Sequence, residues 1–357
     1  MGNKRYIGLD AARILAMLMV IMMHVMWAGG ALWGIPVQSK KGLIAWGLET
    51  FAYASVDTFA MLSGYVGYGG RHRVSSAVEL YLTAIFFDVV VSIGVYKLGI
   101  VPDRALIMSS ITRVFTGDCY WYLMCYLCLF PFMPLIDRGV ASLDDQSGRK
   151  VCAFAILLFC IPLVLWGTDF GRTYKGGSTM WLAVLYLIGA CFRRFGWYHK
   201  CSSGRLAFVA LCAWGSALVW KLLLTPINGE LSMRLISHIS PCMVFIGIGL
   251  IGLLERLRVP DSLHGLVSFL SSSAFSVYVF HLTPALYDNV FPNLFSWLSG
   301  IRTILYPFAC IACCLVIYFV CTCADKVRSL LFELCKVKQR LACFDRLGVQ
   351  RVSDQTD

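Results

Sequence analysis

Apolar residues fall in long runs parted by short polar stretches that carry most of the lysine and arginine. The first run, IGLDAARILAMLMVIMMHVMW, follows Lys4 and Arg5. Nine more extend over 43–68, 77–98, 119–136, 151–167, 180–195, 206–224, 238–254, 266–287 and 301–323. Each is near the ~20 residues that cross a bilayer as a helix. They are far longer than the ~10-residue strands of a membrane barrel. The pattern predicts an all-α fold, a polytopic transmembrane bundle of about ten helices.

The first run is longer than a signal-peptide core of about 7–15 residues. It also carries Asp10, Arg13 and His24, which a disposable leader does not need. It reads as the first membrane helix. Composition agrees, with 59% of the 357 residues hydrophobic. Only 14% are charged, against roughly 25% in a soluble domain. Backbone groups placed in lipid must be satisfied within the span, which again selects helices.

The net charge of +11 is read through topology, since basic residues favour cytoplasmic loops. With the N-terminus inside, twenty lysines and arginines fall on the inner side and nine on the outer. Both termini are therefore expected in the cytoplasm. No nucleic-acid motif accompanies the charge, and no nucleic-acid partner is expected. Residues 326–357 mix apolar residues at helical spacing with basic ones and read as an amphipathic tail along the inner membrane surface. Residues 1–325 form one membrane domain without an evident repeat or linker. The sixteen cysteines include two C-x-x-C pairs, Cys125/Cys128 and Cys310/Cys313. No second ligand set stands at zinc spacing, so they read as small apolar packing residues, and no metal is expected.

Ionisable groups inside membrane spans are functional candidates by default. At about 100° per residue, Arg13 and His24 lie within about 20° of each other around the first helix, and Asp10 within about 40° of His24. They form one stripe, with Arg13 and His24 separated by about 16 Å along the axis. An arginine near the inner face suits the phosphates of a cytoplasmic ligand, and a deeper histidine suits general-base work on a hydroxyl. Geometry alone leaves a plainer use open: Asp10 and Arg13 neutralise each other, and His24 donates to a neighbouring helix. In the second span, Glu49 and Asp57 are both candidates to charge-balance His24. Ser63 and Gly64 admit close approach of a helix or a slender ligand. His281 in the ninth span lies at a depth similar to His24 and suits either the same chamber or a carbonyl freed by Pro284.

Four segments together resemble the acyltransferase-3 family. RYIGLDAARILAMLMVIMMHV is similar to its first helix, with Arg13 and His24 at the family's ten-residue separation. VDTFAMLSGYV resembles its Phe-rich stretch through Asp57, Phe59, Ser63, Gly64 and Tyr65, with Ala60 where a second Phe is usual. YWYLMCYLCLFPFMPLI resembles its Trp-aromatic-Leu helix through Trp121, Tyr122 and Pro134. SSSAFSVYVFHLTPAL resembles its late motif through Ser276, Tyr278, His281 and Pro284. Residues 151–236 carry little that matches and rest on hydropathy alone.

The resemblance implies a membrane O-acyltransferase that moves an acyl group, acetyl by default, from cytoplasmic acyl-CoA to a hydroxyl of a cell-surface or lipid-linked glycan. On that model Arg13 binds the phosphates of the donor. Asp10, Ser63, Gly64 and Tyr65 belong with it on the donor side. His24 is the base or relay, supported by Asp57 or Glu49, with His281 as a further catalytic candidate. Trp121 and Tyr122 contact substrate. The lipid partner would be a bacterial plasma membrane, and with no soluble domain evident the chain is expected to perform or complete the transfer by itself. A secondary transporter of a small polar solute such as an amino acid is the rival expectation, though the internal repeats and broken helices in matching halves common among transporters are not evident.

Overall fold

The helix α1 (Ile7–Met26) runs through the middle of a bundle that a computed structural model describes for residues 7–347. After it come α2 (Lys40–Ala52), α3 (Ser55–Gly67), α4 (Val74–Lys97), α5 (Arg104–Thr116), α6 (Trp121–Leu129), α7 (Met133–Ala141) and α8 (Asp145–Trp166). Next are α9 (Thr179–Phe195), the single turn α10 (Trp197–Lys200), α11 (Ser203–Leu224), the single turn α12 (Gly229–Ser232) and α13 (Pro241–Glu255). The chain closes with α14 (Asp261–Ser271), α15 (Ala274–His281), α16 (Pro284–Tyr287), α17 (Tyr306–Leu334) and α18 (Val337–Leu341). No strand occurs among the described residues. Lys4, Arg5 and the end of the predicted tail lie outside them.

All ten apolar runs coincide with helix, but among the described residues six helical stretches are long and apolar enough to cross a membrane, seven if the bent pair α14–α15 is one span. The other three runs are short or interrupted. Run 43–68 divides into α2 and α3 at Tyr53–Ala54. Run 180–195 is α9, of 17 residues, and run 238–254 is α13, of 15. These short helices sit inside: α3 packs on α9 and on α13. The long helix α8 packs on α9 and α13, α11 packs on α13, and α17 packs on α1 and α15; these three expose Leu157, Leu165, Leu211, Leu223, Phe308 and Phe319. An apolar outer surface of this extent suits lipid and not water.

Close crossing of α3 and α9 depends on glycine. A Cβ on Gly64 would lie 2.0 Å from the Tyr186 carbonyl oxygen, and one on Gly189 would lie 1.9 Å from that of Met61. The 40° bend between α14 and α15 falls at the run Ser271–Ser272–Ser273, where one hydroxyl competes for a helix carbonyl. Ser272 Oγ donates to the Phe269 carbonyl at 2.9 Å. From α17, Lys326 donates to the same carbonyl at 3.0 Å and Tyr318 to that of Leu270 at 3.1 Å. The basic residue that opens the predicted tail is thus part of the bundle. The division at 325/326 falls inside α17, which continues to Leu334.

Candidate active site

The stripe read on the first helix is present on α1. Arg13 Nη1 donates to Asp10 Oδ1 at 2.6 Å, and Ser271 Oγ at the α14–α15 bend donates to the same oxygen at 2.8 Å. Asp10 is 2% exposed and Arg13 34%. The neutralising pair is therefore real, and it also fixes the guanidinium at the mouth of a cavity. Arg13, Met17, Val20 and His24 all line that cavity, at successive turns of one helical face.

The cavity holds about 390 Å³, within the usual range for small-molecule sites of about 300–1,000 Å³. Phe59 and Ser63 of α3, Trp121 and Tyr122 of α6, and Tyr278 of α15 form the facing wall. Tyr120, immediately before α6, has φ 51° and ψ 47°, a conformation that costs a non-glycine residue about 1–3 kcal/mol and clusters at functional sites. Its hydroxyl donates to Thr283 Oγ1 at 3.4 Å. That contact and the ring packing of Tyr120 on Tyr278, 6.2 Å between centroids, anchor the turn that presents Trp121.

His24 Nδ1 lies 3.2 Å from His281 Nε2. His281 Nδ1 lies 2.5 Å from the carbonyl oxygen of Val277, which can only accept. In the neutral ring the proton of His281 is therefore on Nδ1, and its Nε2 carries a lone pair. That lone pair must accept from His24 Nδ1–H. A neutral His24 then has its own Nε2 unprotonated, the tautomer a general base requires. The edge of Tyr287 packs on the other side of the His24 ring, 5.4 Å between centroids.

Neither carboxylate proposed for His24 takes this position. Asp57 is fully buried and faces His238, with Oδ2 3.9 Å from Nδ1. Glu49 is 1% exposed, and neither of its oxygens has a hydrogen-bond partner among the described residues. Ser63 lines the cavity and donates to the Phe59 carbonyl at 2.9 Å. Gly64 is turned to α9, as its contact with Tyr186 requires. Tyr65 points away as well, donating to Glu255 Oε1 and stacking under the Arg193 guanidinium at 5.4 Å.

Two residues gain importance from the structure. His238 stacks on Tyr53 at 4.9 Å and 27° and lies 6.2 Å from Trp121. It stands in the turn before the proline that opens α13, where hydropathy alone marks a span boundary. Tyr278 was visible only as part of a motif. Its hydroxyl is buried against the cavity and donates to no group among the described residues.

Residues 6–323 match the family model for acyltransferase-3, described as an acyltransferase domain. No curated protein and no solved structure matches the chain. The family match runs from the start of α1 to just past the middle of α17 and takes in every wall of the cavity. This chain belongs to the acyltransferase-3 family and is a multi-pass membrane acyltransferase.

Proposed function

We propose that the protein transfers an acyl group, acetyl by default, from acyl-CoA to a hydroxyl of a cell-surface or lipid-linked glycan. The observation that carries this reading is that Arg13 and His24 line one cavity. Arg13 lies at the cytoplasmic end in this reading and pairs with donor phosphate, a role suited to its planar fork of N–H groups. Asp10 and Ser271 hold it there. The apolar wall of Met17, Val20 and Phe59 accommodates the thioester arm.

In the chemical step the acceptor oxygen attacks the thioester carbonyl carbon. Its proton passes to His24 Nε2, the carbon–sulfur bond breaks, and the proton is returned to the departing sulfur. His281 stabilises the imidazolium through the Nδ1–Nε2 contact and fixes the ring. The hydroxyl of Tyr278, whose proton has no acceptor among the described residues, is available to donate to the carbonyl oxygen as negative charge builds there, the kind of donor that preorganised sites use. A bacterial plasma membrane, with both chain ends in the cytoplasm, is the setting this reading assigns.

The test is transfer of label from [14C]acetyl-CoA into the polysaccharide fraction of membranes containing the protein. We expect wild-type membranes to transfer label and His24→Ala membranes at equal protein level to lose at least about 10²-fold, the lower bound for a general base. Undiminished transfer by His24→Ala overturns the mechanism. Absence of transfer by the wild type under acceptor-rich conditions overturns the reading itself.

A further inference from the structure

The stripe on α1 does not end at His24. One turn further, Trp27 lines a second cavity of about 580 Å³. Trp121 borders both chambers and forms part of the wall between them. The second chamber is more polar than the first. Its aromatic surfaces are Trp27, Tyr53, Trp121 and Tyr174, and its charged groups are Lys175, Arg234 and Glu230. His238 lines it too, held between Tyr53 and Trp121 and facing the buried Asp57.

The rim of this chamber is built, not loose. Arg172, Tyr174 and Lys175 have φ of 49°, 53° and 56°, three strained residues within four positions. Asp169 holds them there. Its Oδ1 accepts from the Thr173 amide at 2.8 Å and the Thr173 hydroxyl at 2.9 Å, and its Oδ2 accepts from the Lys175 amide at 2.9 Å. Gly176 then packs on His238, where a Cβ would lie 2.4 Å from the His238 Cβ. Opposite, Arg234 donates to the Val164 and Leu165 carbonyls at 3.2 and 3.0 Å and rests on Gly167. Neither Lys175 nor Arg234 has a carboxylate within ion-pair distance among the described residues, so two cations stand against the single carboxylate of Glu230.

We propose that this second chamber is the acceptor site and that it selects a sugar bearing an anionic group, carboxylate or phosphate. Flat aromatic faces pack against the apolar faces of a pyranose ring while their polar edges stay wet. Planar and ammonium cations supply charge-assisted hydrogen bonds to the anion. The His238 imidazole is the group placed to meet a ring hydroxyl near Trp121. This rests on the reading of the first chamber as the place of transfer, since the sugar then sits one helical turn from His24.

The experiment measures sugar binding by the purified full-length protein in nanodiscs with no donor present, by saturation-transfer NMR. The probes are methyl α-glucoside, methyl α-glucuronide and glucose 1-phosphate, which share one ring and differ in charge. We expect at least one anionic sugar to bind about tenfold more tightly than the neutral one, the factor that ~1.4 kcal/mol of charge-assisted bonding supplies. Preference for the glucuronide alone identifies a uronic acid, and preference for the phosphate alone identifies a phosphosugar. Lys175→Gln is expected to remove most of the preference with unchanged thermal unfolding, and Trp27→Ala to weaken all three probes. Equal binding of the three, binding of none, or an intact preference in Lys175→Gln overturns the assignment. Failure of the transfer reading, seen as label transfer surviving in His24→Ala with donor present, is distinguishable from failure of the acceptor site, which is read from sugar binding by the wild type and Lys175→Gln without donor.

Discussion

His24 and His281, separated by 257 residues in sequence, meet Nδ1 to Nε2 at 3.2 Å. The Val277 carbonyl, bonded to His281 Nδ1 at 2.5 Å, settles the direction of the proton in that contact. A chain of two imidazoles ending on a backbone acceptor leaves His24 with its free lone pair on Nε2. In this role the second histidine is a positioning residue, acting through the first.

His281→Ala is expected to lower kcat by about 10²-fold, because the ring of His24 loses its tautomer and its orientation. The KM for acetyl-CoA should stay within about twofold, since donor binding does not involve this contact. His281→Gln keeps an acceptor at the end of the side chain and should recover part of the loss. A purely structural role for His281 would instead lower protein yield and unfolding temperature, with no recovery by glutamine.

Asp10→Asn tests the anchor of Arg13. The asparagine keeps the acceptor oxygen for Ser271 and removes the charge from the pair. The expected outcome is a KM for acetyl-CoA raised about three- to tenfold with little change in kcat. The measurement is initial rate against donor concentration.

Gly64→Ala places a methyl group where the Tyr186 carbonyl oxygen lies 2.0 Å away. The backbones of α3 and α9 must separate, a change expected to cost about 1–3 kcal/mol and to lower the thermal midpoint in detergent. Gly94→Ala in α4 meets no atom within 4 Å and is expected to be neutral or stabilising by about 0.5–1 kcal/mol, the helix-propensity difference.

The rim of the second chamber has a defined response to acid. Partial burial alone would raise the Asp169 carboxyl, but hydrogen bonds from Lys175 and Thr173 outweigh it and hold it below the ordinary aspartate value. A carboxyl depressed in the folded state contributes stability above its unfolded value of about 3.9, and the contribution is lost as pH falls through the lower folded value. Amide exchange in residues 172–177 should therefore stay protected from neutral pH down to about pH 4 and rise below it. Asp169→Asn should show the raised exchange already at pH 7.

The stripe on α1 was legible because it lies on one helix, where spacing converts directly to angle. Asp10, Arg13 and His24 needed only the helical repeat. His281 was legible by depth, since Arg-rich loops and run lengths place it level with His24. The partnership of Asp57 with His238 was not legible, because it joins α3 to the turn before α13 and nothing local in either segment points to the other. The break at Tyr53–Ala54 also escapes sequence reading. No proline or glycine marks it, and hydropathy averages across it, although it is what carries Tyr53 to His238. The interior position of α3, α9 and α13 was hidden for a similar reason. A short helix covered by other helices is as apolar as a spanning one, and composition does not separate the two.

The most direct measurement compares Arg13→Gln and His24→Gln in one acetyl-CoA assay with membranes at matched protein level. Arg13→Gln is expected to raise the donor KM about tenfold with kcat within about twofold, while His24→Gln lowers kcat by at least about 10²-fold. Two variants that both turn over like the wild type, or that both lose only donor affinity, would contradict a chamber in which the guanidinium holds the donor and the imidazole takes the proton.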